Sequence, residues 1–428
     1  MKKGKGIALL PIGVFLVLYL GLGILFEYVM KIPMGFYNVP IVVAFLAAIL
    51  VACLQNRAVN FEQKLEIMAR GVGDKNIITM LLIFLAAGSF VGVVGRSSAE
   101  SVAYCMLSLI PARYSVAVLF VVACFVSVAM GTSVGTITLL VPIASAVSGA
   151  SGFDLAFCVA SVMGGAMFGD NLSFISDTTI AAVKTQGCDM KDKFKANFLL
   201  VLPAAVLSIL IFWIMTRNVS YSLEGDLKYN LWEVFPYLIV LAGALAGINV
   251  FLVLISGIVI SLIVGVAAGN IAVTEMFKVV GDGVTSMYDI TVISILVACI
   301  VSLVKEAGGI QFILDLIKSR IRGKKGAELG IALLALFVDI CTANNTVAIV
   351  MTGPIAREIS EEYGVDPKRS ASLLDMFTSV GQGMIPYGAQ LLSAATLTGL
   401  TPVDILPNLY YPVLMGICGV GAIFLRKR

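Results

Sequence analysis

The chain has 428 residues, of which 59% are hydrophobic and only 13% charged, whereas soluble domains average about 45–50% apolar and about 25% charged residues. It contains no histidine, which excludes His-based metal sites, Ser-His-Asp and Cys-His catalysis and a histidine pH switch. No Gly-rich phosphate loop ending in Gly-Lys occurs, so we expect neither ATP-driven chemistry nor a bound cofactor, and no nucleic-acid partner.

Apolar runs of about 20 residues, the length that crosses about 30 Å of hydrocarbon, recur along the whole chain. They predict an all-α polytopic membrane protein whose main partner is the lipid bilayer. Full crossings are predicted at about 7–30, 37–54, 77–95, 153–188, 196–216, 231–247, 249–268, 289–304, 370–400 and 406–426. Two further stretches, 114–149 and 327–356, are interrupted by small polar residues and are predicted to be re-entrant helical hairpins.

Two of the crossings are also interrupted and are predicted to be broken transmembrane helices. The sequence Gly169-Asp170-Asn171 lies within 153–188, and Gly381-Gln382-Gly383 with Pro386 lies within 370–400. Non-helical backbone at membrane depth persists only where protein or water satisfies its polar groups. We therefore expect the two hairpin tips and the two breaks to meet at one internal site.

The distribution of positive charge sets the predicted orientation. With the N-terminus inside, 23 of the 29 Lys and Arg residues fall in inside segments and six fall outside, as the positive-inside rule requires. Treating 231–268 as one crossing reverses this bias, so we divide it at the uncharged Gly247-Ile248-Asn249. We expect the bacterial cytoplasmic (inner) membrane, with both termini inside.

The chain contains an internal repeat, in which each residue of the second copy follows its counterpart in the first by a constant number of positions. We call this number, the separation of Phe125 and Phe337, the repeat offset. Phe125 matches Phe337, Pro142-Ile143-Ala144 matches Pro354-Ile355-Ala356, and Gly169 matches Gly381. Because the predicted topology places the two copies on opposite sides, the repeats are expected to be inverted, a common plan for secondary transporters. The predicted domains are a two-helix extension (1–60), the first repeat (61–230), a linking helix pair (231–270) and the second repeat (271–428).

The densest polar cluster in an apolar context lies in the first predicted break. Carboxylates, amides and hydroxyls supply the oxygen ligands that Na⁺ prefers, and an acidic residue inside a membrane is a functional candidate. The predicted cation- and proton-binding residues are Asp170, Asn171, Ser173, Ser176, Asp177 and Thr178, with Asp170 and Asp177 as the metal-binding carboxylates.

Further polar candidates lie at the hairpin tips and in the second break, which has no carboxylate. The predicted substrate-binding residues are Thr132, Ser133, Asn344, Asn345, Thr346 and Gln382. Small polar residues at such places could instead only ease helix packing. Asp339 and Asp375 also lie in apolar surroundings, and both alternatives, a site member or a residue facing the cytoplasm, stay open for them.

The polar cluster resembles the NhaC-type Na⁺/H⁺ antiporter family of the ion-transporter superfamily. Gly169-Asp170-Asn171-Leu172-Ser173, then Ser176-Asp177-Thr178-Thr179 and Lys184-Thr185-Gln186-Gly187, carry the resemblance. It implies Na⁺/H⁺ exchange and a scaffold domain with a moving transport domain, often in a homodimer. Phe174 stands where that family commonly has Pro, and this departure bears on the substrate more than on the fold.

The leading hypothesis is a secondary antiporter in which Na⁺ and H⁺ compete for Asp170 and Asp177, since burial favours the neutral acid and a bound cation the ionised one. The alternative is a Na⁺-coupled carrier of an amino acid or organic acid, held by the Asn344-Asn345-Thr346 tip and the neutral break. A third class, an intramembrane aspartyl protease, fits poorly because its two Asp residues usually come from two helices. We therefore expect no enzyme.

Overall fold

The computed structural model describes residues 4–32, 38–55, 59–174, 176–217 and 229–425. Within these ranges all regular structure is helical, and no strand forms. The predicted all-α class is confirmed, and the chain is a multi-pass membrane protein. The charged ends predicted to lie inside, residues 2–3 and 426–428, fall outside the described residues.

The N-terminal extension forms two helical segments. The first, predicted at 7–30, is continuous helical backbone that changes pitch several times. It consists of a 3₁₀ turn Gly6–Leu9, α1 (Leu10–Leu16), a π turn Val17–Gly21, α2 (Leu22–Ile24) and a π turn Leu25–Val29, and is followed by α3 (Ile41–Gln55). Phe15 stacks on Phe45 of α3 with ring centroids 3.9 Å apart, which fixes the pair.

The first predicted repeat contains seven helices, α4 to α10. They are α4 (Phe61–Val72), α5 (Lys75–Leu109), α6 (Ala112–Met130), α7 (Ser133–Ser151), α8 (Leu155–Leu172), α9 (Asp177–Gln186) and α10 (Met190–Thr216). Helix α5 bends at Gly95, whose φ of 68° and ψ of 177° are accessible essentially to glycine alone.

The linking pair and the second predicted repeat contain α11 to α21. They are α11 (Leu231–Leu245), α12 (Val250–Ala267), α13 (Met276–Ser286), α14 (Tyr288–Glu306), α15 (Gly309–Lys318), α16 (Gly323–Thr342), α17 (Asn345–Tyr363), α18 (Pro367–Met384), α19 (Ala389–Thr398), α20 (Pro402–Ile405) and α21 (Tyr410–Leu425). The uncharged turn at 247–249 does separate α11 from α12, with Asn249 capping α12.

The helix bounds follow the repeat offset. Helices α7, α8 and α9 map onto α17, α18 and α19 residue for residue, and the left-handed residues Gly131, Gly152 and Gly187 map onto Ala343, Gly364 and Gly399. The two copies also pack reciprocally. Gly71 of α4 lies against Ser302 of α14, and its counterpart Gly283 of α13 lies against Gly88 of α5. A two-fold relation between the repeats produces such reciprocal packing. The opposite orientation of the repeats in the membrane and the division into domains stay predictions.

Eight helical stretches among the described residues are long and apolar enough to cross a membrane, or nine if the bent pair at the C-terminus counts as one span. The eight are Gly6–Ile24, Ile77–Gly95, Ala112–Met130, Ser133–Ser151, Leu155–Gln186, Met190–Thr216, Val250–Ala267 and Tyr288–Glu306. Helices α3 and α11, predicted as crossings, have only 15 residues each, fewer than the usual 17–25.

The hairpins and the second broken helix differ in polarity between the repeats. Both arms of the first hairpin, α6 and α7, have 19 residues and qualify as spans. The arms of the second hairpin, α16 and α17, are not among the eight stretches, and neither is the broken pair α18 and α19. Charged side chains lie at the ends of α16 and α17 away from the tip, Asp375 lies within α18, and α19 has only 10 residues. The re-entrant course of both hairpins stays a prediction.

Both broken helices are confirmed, but each break begins a few residues later than predicted. Residues 169–171 lie in the last turn of α8, and the chain leaves the helix only between Leu172 and Asp177. Likewise 381–383 end α18, and the break covers residues 385–388. The Gly-Asp-Asn and Gly-Gln-Gly sequences remain helical because their turns keep their backbone hydrogen bonds; the extended backbone falls on Ser173 and Ile385.

Candidate functional site

The two hairpin tips have the same local structure. In the first, Gly131 takes a left-handed conformation and the Thr132 hydroxyl accepts the N–H of Gly135, which caps α7. In the second, Ala343 is left-handed with φ 48°, an unusual conformation for a residue with a Cβ, and Asn344 caps α17 by accepting the N–H of Val347. Each tip therefore presents a capped helix N-terminus with a partial positive charge.

The two tips and residues at the edges of the two breaks, namely Ser176, Gln382 and Ala389, line one cavity of about 360 Å³, which we call the site cavity. The four interruptions thus lie near one another, as predicted. Ten of the twelve predicted site residues line it, namely Thr132, Ser133, Asp170, Ser176, Asp177, Thr178, Asn344, Asn345, Thr346 and Gln382. Pooling exposed backbone ends around one polar cavity satisfies groups that lipid cannot.

Asp170 is the carboxylate at the centre of this arrangement. Its side chain is 6% exposed and receives the Ser176 hydroxyl on Oδ1 at 2.7 Å. The hydroxyl and the backbone N–H of Ser133, the first residue of α7, face the same carboxylate and favour its charged form. Donors of this kind, at a helix N-terminus, favour a negative charge, whereas burial disfavours it. The carboxyl group therefore lies between the hairpin and the break where a proton and a cation can compete for it.

The other polar groups of the first break extend the oxygen cluster. The hydroxyls of Ser176 and Thr178 are 2.9 Å apart, and Asp177, the first residue of α9, is exposed. Asp177 therefore lies on the open side of the cavity, whereas Asp170 is buried. Among the described residues no cluster of three or more Cys, Asp or Glu side chains could hold a metal, so a cation here needs hydroxyl oxygens as well.

Asn171 and Ser173 do not line the cavity, although the sequence groups them with Asp170. The Asn171 amide points to a different side of α8, where its Oδ1 accepts the Ser379 hydroxyl at 2.8 Å and its Nδ2 lies 3.3 Å from the sulfur of Met415. Successive residues of a helix face different directions, about 100° apart. The cation-binding role predicted for Asn171 and Ser173 stays a prediction.

A buried ion pair between Lys193 and Asp375 contacts the residues on both sides of the first break. Lys193 of α10 donates to Asp375 Oδ2 at 2.5 Å, to the Thr179 hydroxyl at 2.9 Å and to the carbonyl of Asn171 at 2.9 Å. Both charged side chains are at most 1% exposed. Because Asn171 and Thr179 lie on opposite sides of the break, the ammonium group connects α8 to α9.

Sequence reasoning misses this pair because Lys193 stands among exposed lysines. The charge pattern groups it with Lys184, Lys191 and Lys195 in an inside surface segment, and the structure corrects that assignment for Lys193 alone. For the partner, Asp375, the sequence leaves open a site member or a cytoplasmic residue; it is fully buried beside the break. The available signal is an isolated acidic residue in an apolar helix, which needs a buried cation.

The second repeat contributes neutral polar groups to the same cavity. Gln382 donates its amide to the carbonyl of Ala343 at 3.2 Å, and Gln390 donates to the Ser133 hydroxyl at 3.1 Å. The Oε1 atoms of both glutamines are buried without a hydrogen-bond partner in the described part of the chain. Gln390 is not among the predicted residues, but the repeat offset equates it with Thr178, which is.

A second cavity of about 310 Å³ adjoins the site cavity at the tip of the second hairpin. Ala343 and Asn344 line both cavities. The second is also lined by charged residues of the loops predicted to lie inside, namely Arg70, Asp74, Lys305 and Glu306. The tip thus separates the site cavity from a space next to the predicted cytoplasmic loops.

The chain is similar along most of its length to several known proteins. Among relatives with assigned names, this chain is 21% identical over 436 residues to the malate-2H⁺/Na⁺-lactate antiporter of Bacillus subtilis, covering 94% of this chain and 90% of that protein. It is 21% identical over 461 residues to the Na⁺/H⁺ antiporter NhaC of Alkalihalophilus pseudofirmus, covering 98% and 97%. The crystal structure of the Alcanivorax borkumensis YdaH transporter, described as having an unusual topology, superposes with a TM-score of 0.44 at 14% identity, covering 89% of this chain and 96% of that one.

A family profile covers nearly the whole chain. It matches residues 8–216 and 231–426, which include both predicted repeats, both hairpin tips and both breaks. The chain therefore belongs to the Na⁺/H⁺ antiporter family.

Proposed function

We propose that this protein is a secondary transporter that exchanges Na⁺ for H⁺, and that the ions compete at Asp170 in the site cavity. The observation that carries the proposal is the position of Asp170. It is a buried carboxyl group in a cavity lined by both hairpin tips and by the edges of both breaks, where it faces Ser133 of the first tip and accepts the hydroxyl of Ser176 across the break.

The chemistry of the cluster suits a hard monovalent cation. Asp170 would supply the negative charge, and the hydroxyls of Ser133, Ser176 and Thr178 would supply neutral oxygen ligands. These hydroxyls can rotate, so a group that donates to Asp170 when the site is empty can turn its lone pairs towards a bound ion. Asp177, exposed at the cavity, would attract cations to its entrance.

Coupling follows from the burial of Asp170. A carboxylate there is unfavourable without a counter-charge, so it must hold either a cation or a proton before it crosses the low-dielectric interior. Na⁺ and H⁺ then bind alternately to one group, and the empty charged carrier does not cross. This is the physical requirement for exchange of one ion for the other.

The test uses the purified protein in proteoliposomes containing a pH-sensitive dye. Wild-type protein should move protons when Na⁺ is added and should not respond to K⁺ at equal ionic strength. Asp170→Asn keeps the shape of the side chain and removes its charge, so proton movement should fall to the level of protein-free vesicles. Asp177→Asn should retain exchange and require more Na⁺ for half-maximal rate.

A matched control makes the same chemical change away from the cavity. Asp189 is the exposed N-cap of α10, and Asn is an equally good cap, so Asp189→Asn should transport like the wild type. Normal Na⁺/H⁺ exchange by a correctly inserted Asp170→Asn variant would contradict the proposal.

A second candidate, Na⁺-coupled transport of an organic acid or amino acid, is favoured by the volume and lining of the cavity. About 360 Å³ greatly exceeds what a single cation fills, and its neutral side offers amide groups from Asn344, Asn345, Gln382 and Gln390. The named relative that couples malate and lactate movement has the same overall extent. Adding labelled malate, lactate and basic amino acids to the same vesicles separates the candidates, since only a carrier of the second kind takes up the label.

The charge distribution and the family resemblance also support a proposal for the cellular setting. The bias of Lys and Arg supports residence in the bacterial cytoplasmic membrane with both termini inside. The family resemblance supports a homodimer. The family is one of antiporters, which supports the proposal that the protein is not an enzyme. Crosslinking in native membranes tests the dimer.

A further inference from the structure

One buried carboxyl group lies outside the ion site described above. Asp339, in the last turn of α16, is 0% exposed, and neither of its carboxyl oxygens has a hydrogen-bond partner among the described residues. It lies against the second broken helix: a Cβ added to Gly381 would come within 2.7 Å of Asp339 Oδ2. No polar contact to the side chain within the described ranges explains why an acidic residue occupies this place.

The first repeat shows what the position normally contains. The repeat offset equates Asp339 with Ser127 and Gly381 with Gly169, and Gly169 packs against Ser127 in the same way. Ser127 is also fully buried, and its hydroxyl donates to the carbonyl of Ala166 at 2.6 Å. A neutral hydroxyl therefore satisfies this position in one repeat, while the other has a titratable acid.

The surroundings of Asp339 favour its neutral form. An isolated carboxylate in a dry interior is strongly disfavoured, and the group protonates instead. The titratable groups that interact with it are Cys341 on its own helix and Tyr387 in the second break, neither of which is cationic. On α18, which packs against α16, Asp375 is paired with Lys193; Arg369 is paired with Glu328, which belongs to α16 itself.

Asp339 is also mechanically connected to the site cavity. Its carbonyl accepts the N–H of Ala343 at 2.7 Å at the hairpin tip, and Tyr387 donates to the carbonyl of Ile340 at 2.6 Å. Gln382, next to Gly381, donates to the carbonyl of Ala343. Ionisation of Asp339 requires water to enter between α16 and α18, and separating these helices displaces the tip and the break that line the cavity.

Resting on the proposed function, we propose that Asp339 is a second proton-binding site, which binds and releases a proton in each transport cycle in addition to the proton exchanged at Asp170. The step is a simple acid dissociation. The carboxylic acid gives its proton to water on one side of the membrane when α16 and α18 part, and it takes up a proton from water on the other side later in the cycle. The number of protons moved per Na⁺ is then one greater than the Asp170 site alone provides.

The test measures stoichiometry in proteoliposomes by finding the membrane potential at which a fixed Na⁺ and pH gradient drives no net flux. The wild-type protein moves one proton more than the one-for-one exchange at Asp170, so it carries net charge and its flux should be nulled at a defined potential. Asp339→Asn and Asp339→Ser, the latter reproducing the first repeat, should exchange one proton per Na⁺, so their flux should not depend on the membrane potential. An unchanged ratio in either variant overturns the proposal. The two proposals are tested separately. Loss of exchange in Asp170→Asn tests the ion site, and the change in the number of protons per Na⁺ in the Asp339 variants tests the second proton site. A wild-type protein that shows no Na⁺/H⁺ exchange rejects the proposed function itself.

A spectroscopic measurement does not depend on the variants folding. At neutral pH and saturating Na⁺, infrared spectra of the wild-type protein should contain the carbonyl stretch of a protonated carboxylic acid in an apolar environment. That band should be absent from Asp339→Asn and from Asp339→Ser. A wild-type spectrum with no such band overturns the proposal.

Discussion

The buried pair of Lys193 and Asp375 provides the sharpest test of how the first break is held in place. Replacing Lys193 with Met keeps a long flexible side chain and removes the ammonium group. The variant loses three donor contacts at 2.5–2.9 Å. Within the described chain Asp375 Oδ1 already lacks a partner, and Oδ2 would retain only the Thr179 hydroxyl at 3.5 Å.

The expected loss is large because a charge remains buried without compensation. Removing one partner of such a pair costs about 3–5 kcal/mol, which at about 1.4 kcal/mol per factor of ten lowers the folding equilibrium constant by roughly two to nearly four powers of ten. The Asn171 carbonyl keeps the Asn197 amide at 2.7 Å, so the loss should come mainly from Asp375.

The assay is denaturant unfolding of purified protein in detergent, followed by tryptophan fluorescence and by the fraction that remains monodisperse. Lys191→Met is the matched control, since Lys191 lies on the same helix and is exposed. The double variant Lys193→Met with Asp375→Leu should recover most of the loss, because an apolar pair of similar volume often replaces a buried ion pair at little cost. Stability of Lys193→Met equal to that of Lys191→Met would refute the reasoning.

Two further predictions concern packing and topology. Gly165→Ala should destabilise the α6–α8 contact, because its Cβ would lie 2.2 Å from the carbonyl oxygen of Phe120. Gly149→Ala in α7, with no described atom within 4 Å of the new Cβ, should be neutral or stabilising by up to about 1 kcal/mol. Equal unfolding midpoints for the two variants would contradict the packing argument. Single cysteines introduced at 62 and 324 in a cysteine-free background should both be labelled from the cytoplasmic side, and labelling of 324 from outside would reject the inverted relation of the repeats.

Much of the architecture follows from local sequence because lipid imposes simple rules. Apolar run length predicts helices, and the shared spacing of Pro142 to Pro354 and of Gly169 to Gly381 predicts a repeat that the helix bounds reproduce. The polar cluster around Asp170 predicts a site, since an acid at membrane depth needs a reason. These inferences need only composition, spacing and the cost of burying unpaired groups.

The direction of individual side chains depended on the tertiary structure. Asn171 is adjacent to Asp170 in sequence yet faces Ser379 and Met415, because one helical step turns it away from the cavity. The break itself begins at Ser173 rather than at Gly169. Gly169 remains within α8, where its lack of a Cβ permits the close contact with α6.

The sequence alone determined the helices, the repeat and the position of the polar cluster, since each depends on neighbours along the chain. Only the tertiary structure decided which buried charges are paired. From the sequence, Lys193 is predicted to be a surface lysine, but in the fold α10 places it against Asp375. Asp339 is a candidate site residue in the sequence, and in the fold it packs against α18 with both carboxyl oxygens lacking partners among the described residues. The energy of a buried charge depends on atoms from distant parts of the chain, and their arrangement exists only in the folded protein.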